Sequence, residues 1–170
     1  MTSKKVSASD MRIAEMKADD LAEIMSIEKV SFPTPWSENM FRKELRTSMS
    51  RSFVVRTVAE RKDSLVGYIN FWIFADEVHL NNIAVRQDYR KMGIAAMMLR
   101  EMIILSWNEG AQWGTLEVRM RNIDAIRLYE RYGYEVQGRR PNYYYDSNED
   151  ALIMWCNLEE AMTRVSRHDA

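Results

Sequence analysis

The sequence predicts a mixed α/β (α+β) domain built on a single sheet of about seven strands flanked by about four helices. Three observations carry that prediction. β-rich runs and helical runs follow one another along the chain, strand runs stand both before and after a pair of capped helices, and 170 residues suffice for one domain with a sizeable core rather than two.

The elements follow in order. "MRIAEM" alternates apolar and polar residues like a first strand. "ADDLAEIMSIEKVSF" puts Leu21, Ile24, Met25 and Ile27 on one helical face behind an acidic start. The two prolines of "FPTPW" forbid a regular helix, and "SENMFRKEL" resumes as a short helix capped by Ser37. "SFVVRTVAE" and "SLVGYINFWIF", separated by "RKD", form a hairpin, and "EVHLNNIAV" is the next strand. A helix runs from about Gly93 to Asn108, with Gly110 marking its end. "WGTLEVRM" is a strand, and "NIDAIRLYERYG" is a helix with Asn122 at its start and Gly133 past its end. "YEVQGRR" and "DALIMWCNL" are two last strands. Residues 1–10 are expected as a flexible tail, 11–158 as the domain and 159–170 as a C-terminal tail.

Composition narrows the function. Twenty-four Lys and Arg oppose 25 Asp and Glu, a net charge of -1, so the chain shows no general surface for nucleic acid or membrane. The N-terminal "MTSKKVSASD" is cationic but has no apolar core, and no apolar run reaches the ~18 residues of a spanning helix. The single cysteine, Cys156, cannot form an internal disulfide, which points to a reduced, cytoplasmic setting.

The most informative stretch is "YRKMGIAAMML", Tyr89 to Leu99. It follows a strand and opens a helix, where unpaired backbone N–H groups and the positive helix end attract anions. Gly93 and Ala95 keep the backbone approachable, and Arg90 and Lys91 add charge, so a phosphate or pyrophosphate is the expected guest. The spacing is neither that of a nucleotide-hydrolase loop nor G-x-G-x-x-G. Standing alone, the same residues are also compatible with a glycine that starts a helix beside two solvated cations.

They do not stand alone. "RKMGIA" resembles the acetyl-coenzyme A loop [RQ]-x-x-G-x-[GA] of the GNAT acetyltransferases through Arg90, Gly93 and Ala95. "NNIAVRQDYRKMGIA", "LEVRMRNIDAIRLYERYGY" and "NYYYDSNEDALIM" resemble successive blocks of the N-terminal protein acetyltransferases, the group of bacterial ribosomal-protein alanine acetylases and archaeal N-terminal acetylases. The likeness covers roughly Met11 to Leu158. It implies a twisted mixed sheet whose fourth and fifth strands splay to admit the pantetheine arm, acetyl-CoA as cosubstrate, and no metal. It also implies that Ile83, Ala84 and Val85 pair through their backbone with the pantetheine, that Arg90, Lys91, Met92, Gly93, Ile94, Ala95 and Ala96 hold the pyrophosphate, and that Asn122 reaches the cofactor as well as capping its helix. The Val85 N–H is the candidate oxyanion donor.

Acyl transfer from a thioester needs a free amine, donors for the developing oxyanion and a proton for the leaving thiolate. Glu117, inside the apolar run "WGTLEVRM", is expected to have a pKa raised by burial and to act as base, directly or through water. It could instead be paired with Arg119 or Arg121, which share its face. Tyr129 matches the family's acid, although a helical tyrosine among Ile126 and Leu128 also reads as core. His79 could position a water, serve as second base, or be structural.

The family's acceptor groove corresponds to "SFPTPW" and "NYYY", two apolar-aromatic loops from which Phe32, Pro33, Tyr144 and Tyr145 are expected to touch a peptide. Presenting a neutral α-amine rather than a neutral lysine costs about 3.5 kcal/mol less. The resemblance thus implies an N-α-acetyltransferase acting on protein or peptide N-termini, such as ribosomal proteins or nascent chains, by direct attack in a ternary complex. A small-amine acetyltransferase would present acidic residues around the acceptor, and a non-catalytic coenzyme A module would not need Glu117 and Tyr129.

Overall fold

The computed structural model describes residues 10–59 and 62–168. Of the expected N-terminal tail, all but Asp10 lies outside the described residues, as does part of the turn expected at "RKD".

The first half of the chain gives β1 (Met11–Glu15), a 3-10 turn (Ala18–Asp20), α1 (Leu21–Ser31), α2 (Glu38–Glu44), β2 (Ser50–Ala59), β3 (Lys62–Phe74) and β4 (Glu77–Val85). A 3-10 turn (Gln87–Tyr89), α3 (Ile94–Asn108), β5 (Trp113–Arg119), α4 (Ile123–Arg131), β6 (Glu135–Tyr144), β7 (Glu149–Asn157) and α5 (Leu158–His168) follow. The seven strands form one mixed sheet in the order β1-β2-β3-β4-β5-β7-β6. β4 and β5 are parallel, whereas β1–β2, β5–β7 and β6–β7 are antiparallel. Among the described residues no helix is long and apolar enough to cross a membrane.

The chain divides into two compact units, Met1–Asn70 with Asn82–Met98, and Phe71–Asn81 with Leu99–Ala170. In the first, α1 buries Leu21, Ile24 and Ile27 against Phe41, Val54, Leu65, Tyr68 and Ala84, as its apolar spacing requires. Ser37 caps α2 by accepting from the Met40 N–H at 3.3 Å. Arg56 ties β2 to the start of α1 through Asp20 at 2.6 Å and Glu23 at 3.1 Å.

In the second unit Asn122 caps α4, accepting from the Ala125 N–H at 3.3 Å, and Gly133 (φ +91°) ends it in a left-handed turn. Gly114 on β5 is required by a close approach, because a Cβ there would sit 2.6 Å from the Tyr134 hydroxyl and 2.9 Å from Cys156 Sγ. Burial pushes the Cys156 thiol up to about 12, which removes it as a nucleophile.

Two expectations need correction. Of the segment 159–170, read as a tail, the described residues 159–168 form most of α5, which buries Leu158, Ala161 and Val165 at helical spacing and is capped by Asn157 accepting from the Glu160 N–H at 3.2 Å. The domain therefore has five α-helices rather than four among the described residues. "NYYY" is not a loop in its first part either, since Tyr143 and Tyr144 end strand β6. That strand runs through Pro141 because β6 is the sheet's edge, where a missing N–H breaks no ladder.

If α5 belongs to the core, Val165→Ala costs about 1–3 kcal/mol of unfolding free energy through the buried methyls it removes. Urea denaturation measures this, and a midpoint unchanged from the parent chain would return the segment to a tail.

Candidate active site

In the first unit β4 runs out through Ile83, Ala84 and Val85 into the expected anion loop. The ladder between β4 and β5 ends at Leu80↔Leu116, so Asn81–Val85 extends past the last β5 pairing. Arg86 N–H donates to Val66 O at 2.8 Å, Lys91 and Gly93 both take left-handed φ (+62° and +81°), and α3 begins at Ile94. Nothing lies within 4 Å of where a Gly93 Cβ would stand. Helix geometry leaves the N–H groups of the first turn, Ile94, Ala95 and Ala96, without i−4 acceptors. Arg90 folds back, its Nε donating to Val85 O at 3.2 Å and its Nη2 to Ser31 Oγ at 3.5 Å, while Lys91 is exposed and Met92 half-buried. Beneath this turn lies Gly67 of β3: an added Cβ would meet Ala84 O at 3.1 Å and Ile94 Cγ2 and Met98 Cε at 3.2 Å. Gly67 thus seats the first turn of α3, a role the sequence signals only as a glycine inside an apolar strand.

The second unit gathers the ionisable groups. Glu117 stands on β5 between buried Leu116 and Val118, with its side chain 17% exposed. Its Oε2 lies 3.0 Å from Nε2 of His79, a side chain 39% exposed, and its Oε1 lies 3.2 Å from Arg140 Nη1. An ionised carboxylate only accepts, so His79 Nε2 carries the hydrogen toward Glu117, and in the neutral ring Nδ1 holds the lone pair. Arg140 also lies over the Tyr143 ring, 5.4 Å from its centroid; Tyr143 meets Tyr144 edge-on at 5.2 Å, and Arg119 stacks on Tyr144 at 3.9 Å.

Glu117 corrects an expectation. The hydrogen bond from His79, first, and the charges of His79 and Arg140 outweigh desolvation and hold its carboxyl below the usual glutamate range. Neither neighbour anticipated on its face is its partner. Arg119 is held by Asp146 at 2.6 and 2.9 Å and by Ser147 Oγ at 2.8 Å, and the Arg121 N–H donates to Glu149 at 2.7 Å. Arg140, twenty-three positions away and invisible to same-strand reasoning, takes that place.

Tyr129 is buried, its ring 6.0 Å from that of Tyr134, and burial lifts its hydroxyl's pKa well above the ordinary phenol value. Burial likewise pushes Tyr144 up to about 12. Tyr145 is 90% exposed. In the first unit Phe32 packs on the core and Pro33 is exposed. Among the described residues no three His, Cys, Asp or Glu side chains gather to hold a metal ion.

Residues 21–134 match the acetyltransferase (GNAT) family. The chain belongs to the GNAT acetyltransferases. Its relatives include a Bacillus subtilis protein provisionally named a ribosomal protein bS18-alanine N-acetyltransferase, 34% identical over 87% of this chain and 96% of that one. The Escherichia coli K12 ribosomal protein bS18-alanine N-acetyltransferase is 31% identical over 84% of this chain and 94% of its own. The crystal structure of the Escherichia coli ribosomal-protein-S18-alanine N-acetyltransferase superposes with a TM-score of 0.77 at 30% identity, covering 87% of this chain and 94% of that one. This GNAT chain is an acetyl-CoA-dependent N-acetyltransferase. The open left-handed turn at Gly93 and the unpaired N–H groups of α3 suit the pyrophosphate of that cosubstrate.

The two-sided grip on Glu117 has a measurable consequence. Its folded pKa lies below the unfolded value of about 4.3, so the pairing adds stability above that pH and loses it as pH falls through the folded pKa. Arg140→Ala removes one partner and should move the Glu117 carboxyl upward in an NMR titration. The stability difference between the two chains should be present at pH 6 and vanish in strong acid. A Glu117 titration identical in both would show that Arg140 contributes nothing.

Proposed function

We propose that this GNAT enzyme acetylates the α-amine of protein or peptide N-termini, with ribosomal proteins or nascent chains as the macromolecular substrates and the cytoplasm as the compartment. The observation that carries this is the cluster around Glu117. It offers an imidazole, two arginines and the edge-on rings of Tyr143 and Tyr144, whereas its carboxylates Asp146 and Glu149 are already engaged by Arg119 and the Arg121 N–H. A polyamine would need free carboxylates there. A peptide, with one amine followed by a polar uncharged backbone, does not. The name of the Escherichia coli relative makes a bS18-type N-terminus beginning with alanine the first substrate to test.

The chemistry follows from the pairings. Glu117, hydrogen-bonded by His79 at Oε2, ion-paired with Arg140 at Oε1 and of lowered pKa, is a poor proton acceptor but a good orienting group. His79 Nδ1 therefore takes the proton of the α-ammonium, directly or through one water, and Glu117 stabilises the imidazolium through Nε2. The freed amine attacks the thioester carbonyl carbon of acetyl-CoA, forming the C–N bond, and the oxyanion accepts from the Val85 N–H. As the C–S bond breaks, the Tyr129 hydroxyl gives its proton to the thiolate, and the surplus proton of the acylated nitrogen passes through solvent back to the phenolate, leaving amide, CoA thiol and phenol; its raised pKa keeps Tyr129 protonated until then. Phe32, Pro33, Tyr144 and Tyr145 are the side chains assigned to the acceptor, Ile83–Val85, Arg90–Ala96 and Asn122 to acetyl-CoA.

Turnover of a peptide panel varying the first two residues, with spermidine as control, should show an alanine-initiated peptide acetylated and spermidine untouched. The reverse order would replace this reading by that of a small-amine enzyme. The assignment of the base has its own test in the pH profile. His79→Ala should lower kcat by roughly 10²-fold at pH 7, with a deficit that shrinks above pH 9 as the amine, of pKa about 8, loses its proton unaided. Glu117→Gln, which keeps a hydrogen-bond acceptor for Nε2, should lose less. A full-activity His79→Ala chain would return the base to Glu117.

A further inference from the structure

Helix α1 buries, beside Ile24 and Ile27, a carboxylate. Glu28 is 1% exposed. Its oxygens accept from the Trp36 N–H at 2.7 Å, from Asn82 Nδ2 at 3.3 Å each, and from the Tyr68 hydroxyl. Its main-chain oxygen accepts from the Phe32 N–H at 3.1 Å. One residue therefore grips the segment Phe32–Trp36 at both ends. The aromatic rings close the circuit: Trp36 lies 5.2 Å from Phe41, and Phe41 meets Tyr68 edge-on at 5.5 Å.

Stability alone does not explain a carboxylate here. A buried charge costs desolvation that its partners only offset, and apolar replacements of buried charges are often neutral or stabilising. Prolines 33 and 35 explain it better. They leave the segment two fewer N–H donors of its own, so its conformation depends on an anchor outside itself. The same anchor holds Asn82, the residue before Ile83–Val85 on β4.

We infer that Glu28 is a positioning residue for the acceptor: it fixes Phe32–Trp36 in one conformation and couples that segment to β4 at Asn82, so that peptide affinity depends on a side chain that never touches the peptide. This rests on the reading of Phe32 and Pro33 as acceptor residues. Glutamine at position 28 can still accept from the Trp36 N–H and donate to Tyr68 or to Asn82 after an amide flip. Alanine can do neither, and leaves three donors unsatisfied.

The test compares Glu28→Ala with Glu28→Gln in the full chain, measuring KM for an alanine-initiated peptide, kcat, acetyl-CoA affinity by calorimetry, and hydrogen exchange of Phe32–Ser37. Glu28→Ala should raise peptide KM roughly tenfold or more, with kcat changed less and acetyl-CoA affinity within about twofold. Glu28→Gln should stay within about threefold of the parent. Unchanged peptide KM in Glu28→Ala, or an equal loss of acetyl-CoA affinity, overturns the inference. Should Glu28→Ala fail to fold, Tyr68→Phe keeps the ring stack and deletes one donor; it should raise peptide KM a few-fold, and no rise overturns the inference. Hydrogen exchange separates this claim from the peptide reading. If the parent chain acetylates no peptide, that reading falls, while faster exchange at Trp36 in Glu28→Ala still supports the anchor and unaltered exchange refutes it.

Discussion

The alternation of residues along β4 is the constraint on which the rest depends. A strand turns each successive side chain to the opposite face. In β4 the even positions Val78, Leu80, Asn82 and Ala84 are buried, and the odd positions His79, Asn81, Ile83 and Val85 stay half-open. His79 therefore comes to the partly open face, where it meets Glu117, while Asn82 goes inward and must find a polar partner, which it does in Glu28. A slip of one residue would exchange the two faces and undo both.

Around Glu117 the competition of effects decides the chemistry. Desolvation alone would raise its pKa, as its apolar strand neighbours suggest. The His79 hydrogen bond is the larger contribution and reverses the direction. A carboxylate gripped at both oxygens resembles the orienting acid of a hydrolase triad more than a free base, and this is the ground on which the imidazole is proposed as the proton acceptor. Arg140 adds to the grip with half its side chain in water, so salt weakens its share more than that of His79.

Much of this was legible before the structure. Ser37 and Asn122 cap the helices they precede, Gly110 and Gly133 close theirs at positive φ, and the alternation of "EVHLNNIAV" is the burial pattern of β4. Helix α5 also carries a local signal: Asn157 with Glu160 is a cap pattern, and Leu158, Ala161 and Val165 have helical spacing. Other features were not accessible to local reasoning. Glu28 has the look of any solvent-facing glutamate until Asn82, fifty-four positions on, comes against it. Arg140 reaches Glu117 only because β7 lies between β5 and β6 in the sheet. Sequence spacing describes neighbours within an element, and both of these contacts are set by topology.

Strand β6 combines Pro141, Asn142 at φ +52° and a register shift between Arg140 and Tyr144, all on the sheet's outermost strand. An unmodified edge of ten residues would be a template for another chain's backbone. The proline withholds a donor, and the irregular register breaks the even spacing that a docking strand would need. The irregularity that displays Tyr143–Tyr145 is thus also a guard against self-association. Aromatic side chains can therefore stand at this margin without inviting an extended segment, or a copy of the chain, to add on as an eighth strand.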